Sequence, residues 1–352
     1  ASAEATQAFA PVVVRDTLAA GPGRTQIEVT LTDLGTRRQT RRRLAVDVPV
    51  FDGTRAVLGP VRLAAAHGGG GFVARPGPDL TAGHDSLRAT AELFDGHRMG
   101  AGRIVWRLLR IPADTAVAAA PYLLRAPARL VRYDAPETLL VRHHRVDPSA
   151  RRQEVSVSLP ALPRGVYRVE AEAGLEAGHR LRGQRDVAVR SAGFPRIIRL
   201  EEMIEALAYL ARPREHARLM EAAAAEEQRR RFDAFWGRLV PDRQQAASLL
   251  QRYYERVEEA NLRFTTYKEG WRTDRGMVYI ILGEPLLIDD RLDREVWHYS
   301  YDDRDALSTF VFHRRPLVGS GGRYHAYLLE RQFFHEAAWR RAVDRWRRGD
   351  VL

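Results

Sequence analysis

Two carboxylates, Asp274 and Glu295, are the residues in this chain that a hydrolase acting on glycan or peptide would use, one as general acid and the other as base or nucleophile. The other reactive groupings carry less. His143-His144 lies in a strand-like segment, and neighbours on a strand point to opposite faces, so the pair does not share one metal ion. Asp289, Asp290 and Asp293, and then Asp302, Asp303 and Asp305, invite calcium. Neither cluster has the glycine and terminal glutamate of a calcium loop, and the intervening arginines fit hairpin tips with solvated charges. His67-Gly68-Gly69-Gly70-Gly71 has the glycine content of an oxyanion loop, yet the chain has no Gly-x-Ser-x-Gly nucleophile elbow, and a flexible hairpin is expected. With zero cysteine there is no disulfide, thiolate metal site or cysteine nucleophile. No catalytic residue, cofactor or metal site follows from these patterns, so a binding or structural role is expected ahead of an enzyme.

Composition sets the wider frame. The 352 residues predict about two or three domains. Hydrophobic residues make up 45% and charged residues 29%, and no window approaches 18 uninterrupted apolar residues, which excludes a helical membrane span but leaves peripheral membrane contact open. The net charge of +11 would ordinarily suggest nucleic acid. However, of the 56 basic residues only Lys268 is lysine, a skew that codon usage alone can produce, and no nucleic-acid reading module accompanies the charge. The sequence opens on Ala1 with ASAEATQAFA, small and polar residues, which is the expectation for an exported periplasmic or extracellular chain after signal-peptide removal.

The elements that would position any site follow from periodicity. From Val12 to about Arg190 the period is two, as in Ile27, Val29 and Leu31 or Val155, Val157 and Leu159, and turn signals such as Asp52-Gly53, Pro76-Gly77-Pro78 and Asp95-Gly96 punctuate it. That predicts antiparallel β-sandwiches. The Pro- and Ala-rich stretch Ile111 to Pro127 offers a seam, dividing residues 1–115 from 116–192 as tandem modules. The second module contains Leu162-Pro163-Arg164-Gly165-Val166-Tyr167-Arg168-Val169, which resembles the penultimate strand of immunoglobulin and fibronectin type III domains, where a tyrosine corner bonds back across the turn.

At Ser191 to Pro195 the period lengthens, and residues 193–269 read as three helices. The first carries Leu200, Ile204 and Leu207. The second runs from Pro213 through Leu219, Ala223, Phe232 and Trp236 to before Val240. The third spans about Arg243 to Thr266. Residues 270–352 read as α+β. Met277 to Leu282, a short apolar run between Gly276 and Gly283, is expected to be a strand buried on both faces, with further strands at 295–300, 309–313 and 324–329. A last helix, Phe333 to Arg348, carries a stripe of Phe334, Trp339, Val343 and Trp346 with arginines including Arg340 and Arg347, suited either to covering the sheet or to holding a partner.

Gly270-Trp271-Arg272-Thr273-Asp274-Arg275-Gly276, followed by Met277 to Gly283 and Glu284-Pro285, resembles the signature of the GWxTD domain family. The likeness extends upstream through Phe235-Trp236, Tyr253-Tyr254 and Ala260-Asn261, and downstream through Trp297 and Phe310 to Phe312. Glu284 departs from the proline usual at that turn. The resemblance implies a bacterial, usually exported protein with β-rich domains ahead of the signature, and brings no established reaction. Read physically, the indole of Trp271 closes the helix-to-sheet junction, Thr273 and Asp274 bond backbone N–H groups of the next turn, Arg275 pairs with a carboxylate, and Gly276 supplies a positive φ at the strand start. The expected function is a non-catalytic binding or structural component of a bacterial envelope or extracellular assembly. It would act through contacts with other proteins or itself, at an open β edge or at the last helix.

Overall fold

The computed structural model describes residues 18–351, apart from 33, 36, 38, 51–54, 67–70, 76–78, 84–85, 95–101, 125–130, 132–133, 148, 175–179, 222–223, 303–304 and 317–324. The opening residues, most of the His67 loop, Ala223, Asp303 and the turns at 52–53, 76–78 and 95–96 therefore lie outside the described residues. The chain is β-rich first and α+β afterwards.

Strands β1 (Gly23–Thr32) and β2 (Gln39–Val48) form a two-stranded antiparallel ribbon of their own, in the register Ile27↔Leu44 and Thr25↔Val46. Ten further strands follow: β3 (Val57–Leu58), β4 (Arg62–Ala66), β5 (Val73–Ala74), β6 (Asp79–Thr81), β7 (Ser86–Phe94), β8 (Arg103–Ile111), β9 (Glu137–Arg145), β10 (Arg152–Leu159), β11 (Gly165–Gly174) and β12 (Arg180–Arg190). They make two sheets, one ordered β10-β7-β4-β5 with β3 also on β7, the other β6-β12-β11-β8-β9. Alternate residues of facing strands meet in one core, where Leu87, Ala89 and Ala91 of β7 and Val155 and Val157 of β10 pack with Trp106 and Leu108 of β8 and Val169 and Ala171 of β11.

That topology corrects the expected seam at 115/116. β10 lies beyond the seam yet pairs with β7, Val155 opposite Ala91, and β11 pairs with β8, Val169 opposite Leu108. Strands from both sides of the seam are needed to complete each sheet, so residues 57–190 are one sandwich and not two modules. The Pro- and Ala-rich stretch is no linker between modules either. From Asp114 to Ala120 it runs without helix or strand, and with Val117, Ala118 and Tyr122 against the core of the helical half it forms a strap there. The tyrosine corner does form, since the Tyr167 hydroxyl, on a fully buried ring, donates to the Pro163 carbonyl at 2.8 Å.

After Arg190 come α1 (Leu200–Ala206), α2 (Pro213–Met220), α3 (Ala225–Leu239) and α4 (Arg243–Phe264). The second expected helix is thus two, α2 and α3. Proline at the first position and Glu215 reaching back to the Arg212 N–H at 2.8 Å start α2. Asp242 caps α4 by accepting from Gln245 N at 2.7 Å.

The principal correction is Met277 to Leu282, which is no strand. It belongs to α5 (Asp274–Leu282), capped by Thr273 and stopped by Gly283 at φ 89°. All but two of its nine residues are buried, so apolar residues on every side reflect a helix enclosed all round. The sheet that follows has β13 (Leu287–Asp290), β14 (Arg294–His298), β15 (Thr309–Pro316) and β16 (His325–Leu329) in sequence order, and α6 (His335–Arg348) closes the chain. Trp346 is fully buried and Trp339 nearly so. The Trp346 Nε1–H donates to the Ile281 carbonyl at 3.0 Å, and its ring meets Tyr253 edge-on at 5.4 Å. As partner-binding residues these two tryptophans are therefore corrected. The stripe of α6, with Val343 half-buried beside it, packs on α4 and α5. Arg347 is spent on Glu215 at 2.9 Å and Arg340 on Glu336 at 2.7 Å, Arg340 alone of these staying exposed.

Candidate functional site

The signature sits where α4 turns into α5 through a short 3-10 turn, Gly270–Arg272. Here backbone packs on backbone. A Cβ on Gly270 would lie 1.8 Å from the Ala260 carbonyl oxygen, and one on Gly276 would lie 1.9 Å from the Gly270 carbonyl oxygen. Gly276 thus serves close approach inside the first turn of α5, and the positive φ expected of it belongs instead to Gly283. Asn261 ties the turn down, donating to Pro195 O at 2.7 Å and accepting from Trp271 N at 3.2 Å. Thr273 Oγ1 accepts from Gly276 N at 3.0 Å and donates to Gly270 O at 2.7 Å. Trp271 is 1% exposed, its Nε1–H donating to Glu269 at 3.1 Å while its carbonyl accepts the Tyr209 hydroxyl at 2.8 Å. Gly283 and Pro285 end the motif, and the Gly283 carbonyl accepts from the Tyr299 hydroxyl at 2.9 Å.

Asp274 is closed on two sides. Its Oδ1 accepts from Arg331 at 2.6 Å and its Oδ2 from the Leu329 N–H at 2.8 Å. Glu295, the other half of the expected catalytic pair, accepts from Arg275 at 3.0 Å and from Trp297 Nε1 at 3.2 Å. Each carboxylate thus holds an ion pair of its own. Glu269, 3% exposed, is a further hub: it accepts from Trp271, pairs with Arg164 of the sandwich, and lies 3.4 Å from Arg272 Nε. From the sandwich side Arg190 donates to the carbonyls of Thr266 and Tyr267.

The strap crosses this junction, and side chains around the signature hold its carbonyls. Arg272 donates to Thr115 O at 3.1 Å, Lys268 to Ala116 O at 3.0 Å and Arg331 to Ala119 O at 3.1 Å. Between strap, α5 and β16 lies a cavity of about 240 Å³ whose polar lining includes Asp114, Lys268, Asp274, Arg275 and Arg331. Burial pushes the Lys268 ammonium below its ordinary pKa, while the Asp114 and Asp274 carboxylates pull it back up. Tyr267, also lining the cavity, is pushed upward by burial. Sequence reasoning named Asn261 only within the likeness and missed Glu269 and Arg331, whose partners Arg164 and Asp274 are distant in the chain. Its one usable signal was Lys268, the single lysine among 56 basic residues. His143 and His144 sit on β9 at the far end of the sandwich, and among the described residues no group of three or more His, Asp or Glu could hold a metal ion.

An α+β core whose signature turn joins two helices and clamps a preceding sandwich defines the class. The chain belongs to the GWxTD domain family, whose model matches residues 167–348 and so begins inside the sandwich, at Tyr167 of β11. No curated protein matches it. Among solved structures it is similar to the PmoD soluble domain from Methylocystis sp. ATCC 49242 (Rockwell), at 14% identity, 37% of this chain, 90% of that one and TM-score 0.23. It is also similar to Spo0M, a sporulation control protein from Bacillus subtilis, at 9% identity, 43% of this chain, 54% of that one and TM-score 0.24. Those overlaps are too slight to establish a common fold.

Proposed function

We propose that the protein is a non-catalytic binding or structural component of a bacterial cell-envelope or extracellular assembly, exported and acting through protein–protein contacts. The observation that carries this is the closure of Asp274: the acid of the signature is bonded to Arg331 and the Leu329 N–H, and every polar side chain of the motif is engaged within the fold. A general acid or base needs a carboxylate within reach of substrate. Arg331 and Arg275 occupy that place on Asp274 and Glu295, which argues against the hydrolase alternative. With Trp339 and Trp346 in the core, the contact surface falls to the β1–β2 ribbon. Val29, Leu31 and Leu44 are 58%, 72% and 60% exposed there, and Arg41 to Arg43 lie alongside. A two-stranded ribbon is marginal alone in water, and among the described residues neither of its outer edges pairs with another strand. A partner strand bearing apolar and acidic side chains fits it.

The test is paired. Leu31→Ser with Leu44→Ser removes association with the native partner, read by cross-linking in the native cells, and leaves the melting temperature unchanged. Asp274→Asn lowers the melting temperature and leaves association of the folded protein intact. A glycan- or peptide-hydrolysing activity that Asp274→Asn abolishes in a fully folded protein overturns the proposal, and recovery of the protein from the cytoplasm alone overturns its export.

A further inference from the structure

The outer face of the β6-β12-β11-β8-β9 sheet has two ends of different character. At one, Leu109 and Ile111 of β8 and Val166 of β11 pack with Tyr267 and Ala326 of the helical half. At the other the sheet is open and basic. Arg145 of β9 faces Arg103 of β8, Gly174 of β11 follows the Ala173↔Ile104 pair and so lies beside Arg103, and Arg180 of β12 faces Gly174. Neighbouring strands are about 4.8 Å apart, so Arg103 and Arg180 flank the glycine from both sides with their backbones about 10 Å apart. Like charges set directly opposite each other repel, and among the described residues neither Arg103 nor Arg145 has an acidic partner. In the next rows Glu172 collects Arg107 at 3.6 Å, Arg180 at 3.0 Å and Arg182 at 2.9 Å, and Glu170 faces Arg107. Five arginines on this half of the face thus stand against two carboxylates, an excess of three positive charges.

Gly174 gives this surface its shape. Its φ is not positive, and a Cβ there would meet nothing within 4 Å, so neither backbone conformation nor packing asks for glycine. What the missing side chain leaves is a gap floored by backbone and walled by arginines, part of an open concavity of about 830 Å³ that Val105 and His143 also line. A phosphate monoester carries about −1.5 to −2 charge at pH 7 and three acceptor oxygens, so guanidinium groups arriving from β8 and from β12 can each bond it. A carboxylate or a sulfate ester brings a single charge against an excess of three. We infer that this end of the sandwich is a binding site for an organic phosphate monoester, its phosphate seated over Gly174 between Arg103 and Arg180 and its organic part lying toward Val105 and His143. The site shares no residue with the β1–β2 ribbon.

Calorimetric titration of the full chain with glucose 6-phosphate is expected to show binding at one site, and glucose 6-sulfate, of similar shape but one charge, is expected to bind at least about tenfold more weakly. Arg103→Gln should weaken glucose 6-phosphate by about tenfold, the loss of one charge-assisted hydrogen bond. Gly174→Leu is the sharper variant, because it fills the gap and removes no charge. Its melting temperature is expected to stay at or above the parent's, since the position is exposed and open, while glucose 6-phosphate binding is lost. Phosphatidylcholine vesicles with and without phosphatidic acid, whose headgroup is the same monoester, separate two sources. Cosedimentation with the phosphatidic acid vesicles that Gly174→Leu abolishes identifies a lipid headgroup, and sugar phosphate binding without cosedimentation identifies a soluble ester. If Gly174→Leu binds glucose 6-phosphate as the parent does, if the sulfate binds as tightly as the phosphate, or if neither ester binds, the arginines are a diffuse basic surface and the inference fails.

Discussion

Replacing Gly276 by alanine sets two physical effects of opposite sign against each other. Gly276 lies within α5, and in a helix alanine is ordinarily better than glycine by about 0.8–1 kcal/mol. In this fold the added methyl would sit 1.9 Å from the Gly270 carbonyl oxygen and 2.8 Å from its carbon. Both are backbone atoms of a turn held by Thr273, Asn261 and Thr265, so no side chain can swing aside. Overpacking of this kind costs about 3 kcal/mol, the upper end of the usual range, and outweighs the propensity gain. The net loss of about 2 kcal/mol is expected to lower the melting temperature by about 4–8 °C, read by circular dichroism or calorimetry. The control is Gly237→Ala in α3, an exposed position where a Cβ meets nothing within 4 Å. There the propensity term acts alone, and stability should rise by about 0.5–1 kcal/mol. If Gly276→Ala melts at or above the parent while Gly237→Ala behaves as expected, the backbone-on-backbone packing of the signature is wrong.

Trp271→Ala removes a buried indole and the Nε1–H bond to Glu269, and should cost about 3–5 kcal/mol in a urea titration. Asp274→Asn leaves the half-buried Arg331 guanidinium without its counter-charge; the cost should be about 1.5–3 kcal/mol, and Arg331→Met added to it should cost less than the sum of the single changes. Trp346→Ala should lower stability by about 3–5 kcal/mol with no selective effect on association, because the indole fills the core between α4, α5 and α6. His335 is buried, stacked on Phe310 at 4.5 Å, and its Nε2–H donates to Thr309 O at 3.1 Å. Burial holds its pKa below 6.5, so as pH falls through about 6.5 the unfolded chain takes up a proton that the folded chain refuses and stability drops. His335→Gln should flatten the fall in melting temperature between about pH 6.5 and 5.

Period-two alternation at Val155, Val157 and Leu159 placed β10 correctly because only one face of that strand is buried. What alternation cannot convey is which strand pairs with which, and so the seam at 115/116 was misplaced. The run Met277 to Leu282 fails for another reason: once every face is buried, strand and helix carry the same unbroken apolar pattern, and even the full nine residues of α5 are few enough for either. The deciding signals lay at its ends, a threonine that caps and a glycine that stops. The bonds expected of Thr273 and the ion pair expected of Arg275 are local or involve abundant carboxylates, and both occur. Arg331, 57 residues from its partner Asp274, leaves no mark in the primary structure.

The strap has a consequence for where the folded unit begins and ends. Thr115, Ala116 and Ala119 belong, by position in the chain, to the middle of the sandwich, yet side chains from the far end of the protein grip their carbonyls. The family match starts at Tyr167, inside β11, and so includes neither the strap nor the strands that flank it. A gene fragment cut to that match would encode Arg272, Lys268 and Arg331 without the three oxygens they hold. Here the family match and the folded unit have different edges. A GWxTD core of this kind can be transplanted into another architecture only if the new host supplies a stretch of extended backbone to lie across its signature turn.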